Sequence, residues 1–217
     1  MLRTMALAAL ICCLALGAAA AQSRPPNEPG NFDYYVLSLS WSPSFCETSR
    51  GGANELQCGR RPYGFVVHGL WPQYEKGFPQ ACQVPAPRLD RRIVDGMLDL
   101  MPAPALIYHE WDAHGTCSGL APRDYFDTLR KARAAVIIPP AYEHPEAPLT
   151  VTPQEVVASF VTANAGLTPQ GIELDCDRTR LREVRLCFTQ QLQFRDCSNR
   201  RNSCRADKLV MPPARGP

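Results

Sequence analysis

Histidine is scarce in this chain: there are four in 217 residues, and three of them fall in two short segments. A surplus of charge is also lacking. Lysine and arginine number 23 against 21 aspartate and glutamate, a formal net charge of +2. That balance excludes a polycation that holds nucleic acid by bulk charge alone. No cysteine spacing is C-x-x-C, which argues against a zinc knuckle or a thioredoxin-type site. No N-x-[ST] sequon occurs, so N-glycosylation is not expected. No internal repeat and no linker divides the chain, so one domain is expected over residues 22–217.

Long apolar runs are absent beyond the first residues, and the first run is short. Arg3 gives a positive start, Met5 to Leu16 is apolar, and Gly17 to Ala21 is a run of small residues. This pattern predicts a signal peptide over residues 1–21, cleaved after Ala20 or Ala21. The run is too short to cross a bilayer comfortably, so no membrane association is expected after cleavage. Export to the periplasm or the medium follows, and sequence does not choose between them. Cys12 and Cys13 lie in that leader. The other cysteines are Cys46, Cys58, Cys82, Cys117, Cys176, Cys187, Cys197 and Cys204. An even set in an oxidising compartment implies disulfides, but eight cysteines allow about a hundred pairings.

Alternation over Tyr34 to Trp41 predicts a strand, ended by Ser42-Pro43. Residues 47–62 read as a loop. Gly64 to Leu70 reads as a buried strand carrying His68. Leu89, Ile93, Val94, Met97, Leu98 and Met101 fall at helical spacing and stop at Pro102. Arg123 to Val136 reads as another helix. Thr152-Pro-Gln-Glu155 is a capping box that opens a third, running to about Asn164. Strands are expected near 171–176, 183–189, 191–196 and 208–211. Arg178, Arg180, Arg182, Arg185, Arg195, Arg200, Arg201 and Arg205 crowd the end of the chain, diluted by Asp175, Asp177, Glu183, Asp196 and Asp207. They read as a solvated surface rather than a phosphate track. His144, in a Pro-rich stretch, reads as a loop histidine without a role.

The informative segments are Gly64-Phe-Val-Val-His-Gly-Leu-Trp-Pro-Gln73 and His109-Glu-Trp-Asp-Ala-His-Gly-Thr-Cys-Ser118. Histidine titrates near neutrality, so a pair of them can serve as general acid and general base. A third histidine and a glutamate add groups that can hold a phosphate. Together they suit phosphodiester chemistry without a metal, where RNA supplies its own 2'-OH nucleophile. His109 and His114 are five apart, about 140° around a regular helix. Either a helix begins at His109 or the segment bends. That spacing is one residue longer than the zincin motif, which argues against a metal site. His68 alone would pass for a buried structural histidine, and Trp71 and Trp111 for core aromatics.

His68-Gly-Leu-Trp-Pro72 and His109-Glu-Trp-x-x-His-Gly-Thr-Cys117 resemble the two catalytic segments of the ribonuclease T2 family, the secreted acid ribonucleases. Trp41-Ser-Pro-Ser-Phe-Cys46 resembles the family's first strand and the cysteine after it. The resemblance extends over about residues 33–205. It implies an α+β fold, a central antiparallel sheet flanked by helices in a single disulfide-bonded domain. It also implies a cofactor-free and metal-free endoribonuclease, and a monomer is expected. Single-stranded RNA would be cut through a 2',3'-cyclic phosphate and then hydrolysed to a 3'-phosphate.

Carried to this chain, the resemblance makes His114 the general base of the first step and His68 the general acid. His109 would bind phosphate, Glu110 would stabilise the transition state or tune its neighbours, and Trp71 would stack on a base. The disulfides implied are Cys46–Cys58, Cys82–Cys117, Cys176–Cys204 and Cys187–Cys197.

Two departures stand out. The family's usual lysine before the second histidine of the second segment is Ala113 here. Loss of such a group costs about 3 kcal/mol, about a hundredfold in rate. The expectation is a working but slower enzyme in which another cation substitutes, with Lys76, Arg60, Arg61 and Arg123 as candidates. The alternative is an RNA-binding or signalling protein of the same fold with weak or lost catalysis. Gln73 stands where some members carry an acidic base-reading residue, and Ser40 replaces a frequent glutamine. Broad base tolerance is therefore expected.

Overall fold

The computed structural model describes residues 27–48, 55–59, 61–198 and 204–214. The predicted signal peptide, residues 22–26, Arg60, Arg200 and Arg201 lie outside the described residues. A four-stranded antiparallel sheet runs in the order β2 (Phe65–Gln73), β1 (Tyr34–Trp41), β5 (Leu181–Phe188), β4 (Ile172–Cys176). A small second sheet pairs β3 (Leu149–Val151) with β6 (Leu209–Met211). The helices are α1 (Ser42–Thr48), α2 (Glu55–Cys58), α3 (Arg91–Met97), α4 (Pro104–Ala113), α5 (Pro122–Ala134) and α6 (Pro153–Ala163). This is the α+β architecture that the resemblance implies.

Period-two alternation decides the layers. In β1, Leu37, Leu39 and Trp41 are fully buried and join Val184, Leu186 and Phe188 of β5 in the main core. α4 and α5 pack on β2, and α6 on β4. Tyr125 of α5 donates its hydroxyl to the Leu70 carbonyl at 2.9 Å, which pins that helix to β2. Trp111 is buried in this core and donates to the Pro87 carbonyl at 2.7 Å. The opposite sheet face presents Tyr34, Val36, Ser38 and Ser40, and it carries the chemistry described below.

Helix limits follow local signals. Asp90 caps α3 through Arg92 N–H at 2.8 Å. Thr152 and Glu155 form the reciprocal capping box of α6, with Pro153 in the first turn. α5 begins at Pro122 with Asp124 in its first turn and ends with Lys131 and Arg133, charges that suit the helix dipole.

Some expectations are corrected. Ser42-Pro43 ends β1 but also opens α1, since proline is tolerated in a first helical turn. The segment read as a loop therefore contains the end of α1 and the whole of α2. The helix expected over 89–101 is confined to Arg91–Met97. Residues 191–196 form no strand; Phe188 and Phe194 make an isolated bridge, because the chain turns at Leu192, whose φ is +60°. β3 was not foreseen in the sequence. The disulfides join Cys46 to Cys58, Cys82 to Cys117, Cys176 to Cys204 and Cys187 to Cys197, the four pairs implied above.

Candidate active site

One extra residue in β2 creates the site. Ser38 pairs with Gly69 and Leu39 with Val67, so His68 has no counterpart on β1. This bulge changes the parity of the strand. Val67 and Leu70, three apart, both face core partners, Leu39 and Leu37. Trp71 and Gln73 are turned to the opposite face, across from Val36 and Tyr34. Without the bulge, Trp71 would share the core side with Val67.

α4 brings the second segment to this strand. His109 lies within the helix and is exposed, while Glu110 is buried at 1% exposure. The helix ends at Ala113. His114 caps it with φ −124° and ψ −44°, and a 3₁₀ turn, Gly115–Ser118, follows. Of the two geometries open to this segment, the bend is therefore the one adopted. It turns His114 back toward Trp71, with ring centroids 5.5 Å apart.

Glu110 reaches the sheet over Gly69. A Cβ at position 69 would overlap Glu110 Oε2, so glycine leaves the space that this carboxylate fills. Trp71 Nε1 donates to Oε2 at 2.7 Å, and Oε1 lies 3.5 Å from His68 Nε2. The His68 ring meets the Trp71 ring edge-on at 5.4 Å. Trp71 thus lies in ring contact with both histidines and fixes the glutamate.

Two site residues were missed in the sequence: Glu183 and Arg185 of β5. Glu183 Oε1 meets His68 Nδ1 at 2.5 Å. Arg185 donates to Glu183 Oε2 through Nε at 2.9 Å and Nη2 at 2.6 Å, and its guanidinium sits 5.3 Å over the Trp71 ring. In the sequence both read as part of a solvated surface. The available signal was alternation: Glu183, Arg185 and Cys187 interleave with buried Val184, Leu186 and Phe188. What sequence did not reveal is that β5 lies inside the sheet, on the far side of β1 from the strand that carries His68.

The environments drive the two histidines apart. Burial alone would lower the His68 pKa, but the hydrogen bond and charge of Glu183, with the charge of Glu110, outweigh it. The net result lies above the ordinary histidine value, despite opposition from Arg185. Burial, with repulsion from His109 and His68, takes His114 down to about 4. Its Nδ1 is buried and has no hydrogen-bond partner among the described residues. Burial pushes Glu110 up to about 7, against the charge of His68 and the Trp71 hydrogen bond. Burial would also raise Glu183, but the hydrogen bond and charge of His68, together with Arg185, hold it at about 2.

Trp71 and His114 line a cavity of about 210 Å³ with Tyr34, Phe78, Gln73 and Arg185. Ala113 is buried, and its carbonyl accepts the Ala81 N–H at 2.8 Å. Lys76, Arg61 and Arg123 are exposed and do not line this cavity; Arg185 does. His144 is exposed in a bend and does not line this cavity.

A buried carboxyl, a pair of histidines shifted in opposite directions and an aromatic-walled cavity suit an acid–base site on an α+β sheet. The chain belongs to the Ribonuclease T2 family, which it matches over residues 32–197. It is 46% identical over 99 residues to a ribonuclease of Aeromonas hydrophila, a match covering 46% of this chain and 44% of that protein. The match therefore spans less than half the length of that relative. It is 28% identical to ribonuclease DdI of Dictyostelium discoideum over 89% of this chain and 92% of that one. Its fold superposes on the crystal structure of RNase NT in complex with 5'-AMP with a TM-score of 0.61, at 26% identity over 84% of this chain and 99% of that one.

Proposed function

We propose that this chain is an exported, monomeric endoribonuclease that cleaves single-stranded RNA by transesterification without a metal. The observation that carries the reading is the opposite bias on two histidines that both contact the Trp71 ring. Above about pH 4, His114 is neutral and can accept the 2'-OH proton. His68 stays protonated beyond the ordinary histidine range and can donate to the departing 5'-oxygen. Attack of the 2'-oxygen on phosphorus gives the phosphorane; loss of the 5'-oxygen leaves the 2',3'-cyclic phosphate. In the second step the roles reverse, with His68 activating water and His114 protonating the 2'-oxygen, to leave a 3'-phosphate.

Charge on the phosphorane falls to three groups besides His68. Arg185 lines the cavity and takes the part that lysine would have had at position 113. His109 stands one residue before Glu110 on the exposed side of α4 and acts electrostatically on His114. Glu110, raised to about 7, is a neutral acid through most of the acid range, and a protonated carboxyl can donate a hydrogen bond to a phosphoryl oxygen. Trp71 and Phe78 offer aromatic surface to a base, while Gln73 both donates and accepts, which supports broad base tolerance.

Among the described residues no helix is long and apolar enough to cross a membrane. The disulfides suit an oxidising compartment. The test is turnover of single-stranded RNA in EDTA with analysis of the new ends. Cyclic phosphate ends that depend on His68 and His114 support the reading. RNA binding without cleavage favours the alternative, a binding protein that lost its chemistry with the lysine.

A further inference from the structure

We propose that Glu183 is a positioning residue: its buried carboxylate grips His68 by Nδ1, leaves Nε2 to face the reacting oxygen, and clamps Arg185 beside the cavity. The proposal rests on the ribonuclease reading for the identity of the reaction, and on geometry for the role of Glu183.

Glu183 is 7% exposed and accepts from four side chains. Oε1 takes His68 Nδ1 at 2.5 Å and the Ser40 hydroxyl at 3.4 Å. Oε2 takes the Ser38 hydroxyl at 3.1 Å and the two Arg185 nitrogens. A carboxylate has about four lone-pair sites, and donors crowd both of its oxygens here, two on Oε1 and three on Oε2. Buried charge is costly unless it is paired in this way. The cost is met here by residues of β1, β2 and β5 on one sheet face, Ser40 lying directly across from Glu183.

The arrangement fixes the His68 tautomer. Glu183 stays ionised far into the acid range, so it can only accept, and the proton on Nδ1 is held. Nε2 is then the nitrogen that exchanges its proton, and it is the one turned toward Glu110. The bulge gives His68 its position, and Glu183 fixes the rotation of its ring. Other charges act on the same histidine. Glu110 comes from α4, and His114 from the end of that helix. Arg185 and Arg182 come from β5, and Asp175 of β4 lies 3.8 Å from Arg185. Among the described residues, Glu183 is the charged group nearest to His68, at 2.5 Å from Nδ1 against 3.5 Å from Nε2 to Glu110.

The experiment uses the oxidised chain and its Glu183→Gln and Glu183→Asp variants. The readouts are the NMR titration of His68, assigned by its loss in His68→Gln, the pH profile of kcat/KM on single-stranded RNA, and thermal melting. Glu183→Gln should lower the His68 midpoint by about one pH unit or more and move the basic limb of the profile down with it. It should also reduce kcat about tenfold or more. Glu183→Asp should recover part of each shift. A fall in melting temperature with neither midpoint nor limb moved would show a structural ion pair only and overturn the proposal. If the wild type makes no cyclic ends, the ribonuclease reading fails on its own. The His68 midpoint in Glu183→Gln still decides: a drop retains the grip on His68, and no change removes it.

Discussion

His68 and His114 begin with the same ordinary basicity and diverge because of what their nitrogens meet. His68 has a carboxyl group against each nitrogen; His114 has two other histidines nearby and a buried Nδ1 with no hydrogen-bond partner among the described residues. The pH dependence follows in sign. Activity rises as His114 loses its proton through about 4 and falls as His68 loses its proton, above the ordinary histidine value. A kcat/KM profile from about pH 3 to pH 9 checks this, and a maximum lying between those limbs is expected. Arg185→Met should cost about a hundredfold in kcat if that guanidinium takes over from the lysine, and added guanidinium ion should restore part of it. Stability shows the opposite side of Glu110. Its folded pKa of about 7 exceeds the unfolded value, so its ionisation favours unfolding as pH rises through that range. Glu110→Gln should therefore raise the melting temperature more near pH 8 than near pH 5, while lowering turnover.

At the scale of elements, the bulge in β2 and the bend after α4 build the site. Both are single-residue devices. Gly69→Ala should displace Glu110 from Trp71 and lower kcat about tenfold or more with only a modest change in melting temperature, measured on the same preparation. Sequence shows the elements better than these junctions. Tyr34–Trp41, α5 and α6 are readable because alternation, capping and proline placement are local. The bulge at His68 is not, because it exists only relative to β1. The five-residue spacing of His109 and His114 does show that a straight helix fails. The cap geometry at His114 then selects a bend over a helix opening at His109.

Across the whole molecule, the site combines residues from widely separated parts of the chain. His68, Glu110 and Glu183 come from β2, α4 and β5, and only the sheet order makes the third a neighbour of the first. That is why the two motifs yield the histidines and Glu110 but leave Glu183 and Arg185 among surface charges. The Cys82–Cys117 bridge ties the segment before α3 to the 3₁₀ turn after His114. Replacing both cysteines with serine should cost about 2–5 kcal/mol in denaturant unfolding and lower turnover, because His114 loses its support.

The most direct measurement uses the oxidised chain from about residue 22, single-stranded RNA and excess EDTA, at about pH 5 and about pH 7. The ends produced are analysed with His68→Ala/His114→Ala as the blank. Cleavage with 2',3'-cyclic phosphate ends in the wild type and none in the blank is the expected result. No cleavage beyond the blank at either pH would contradict the account and leave a binding protein built on the same fold.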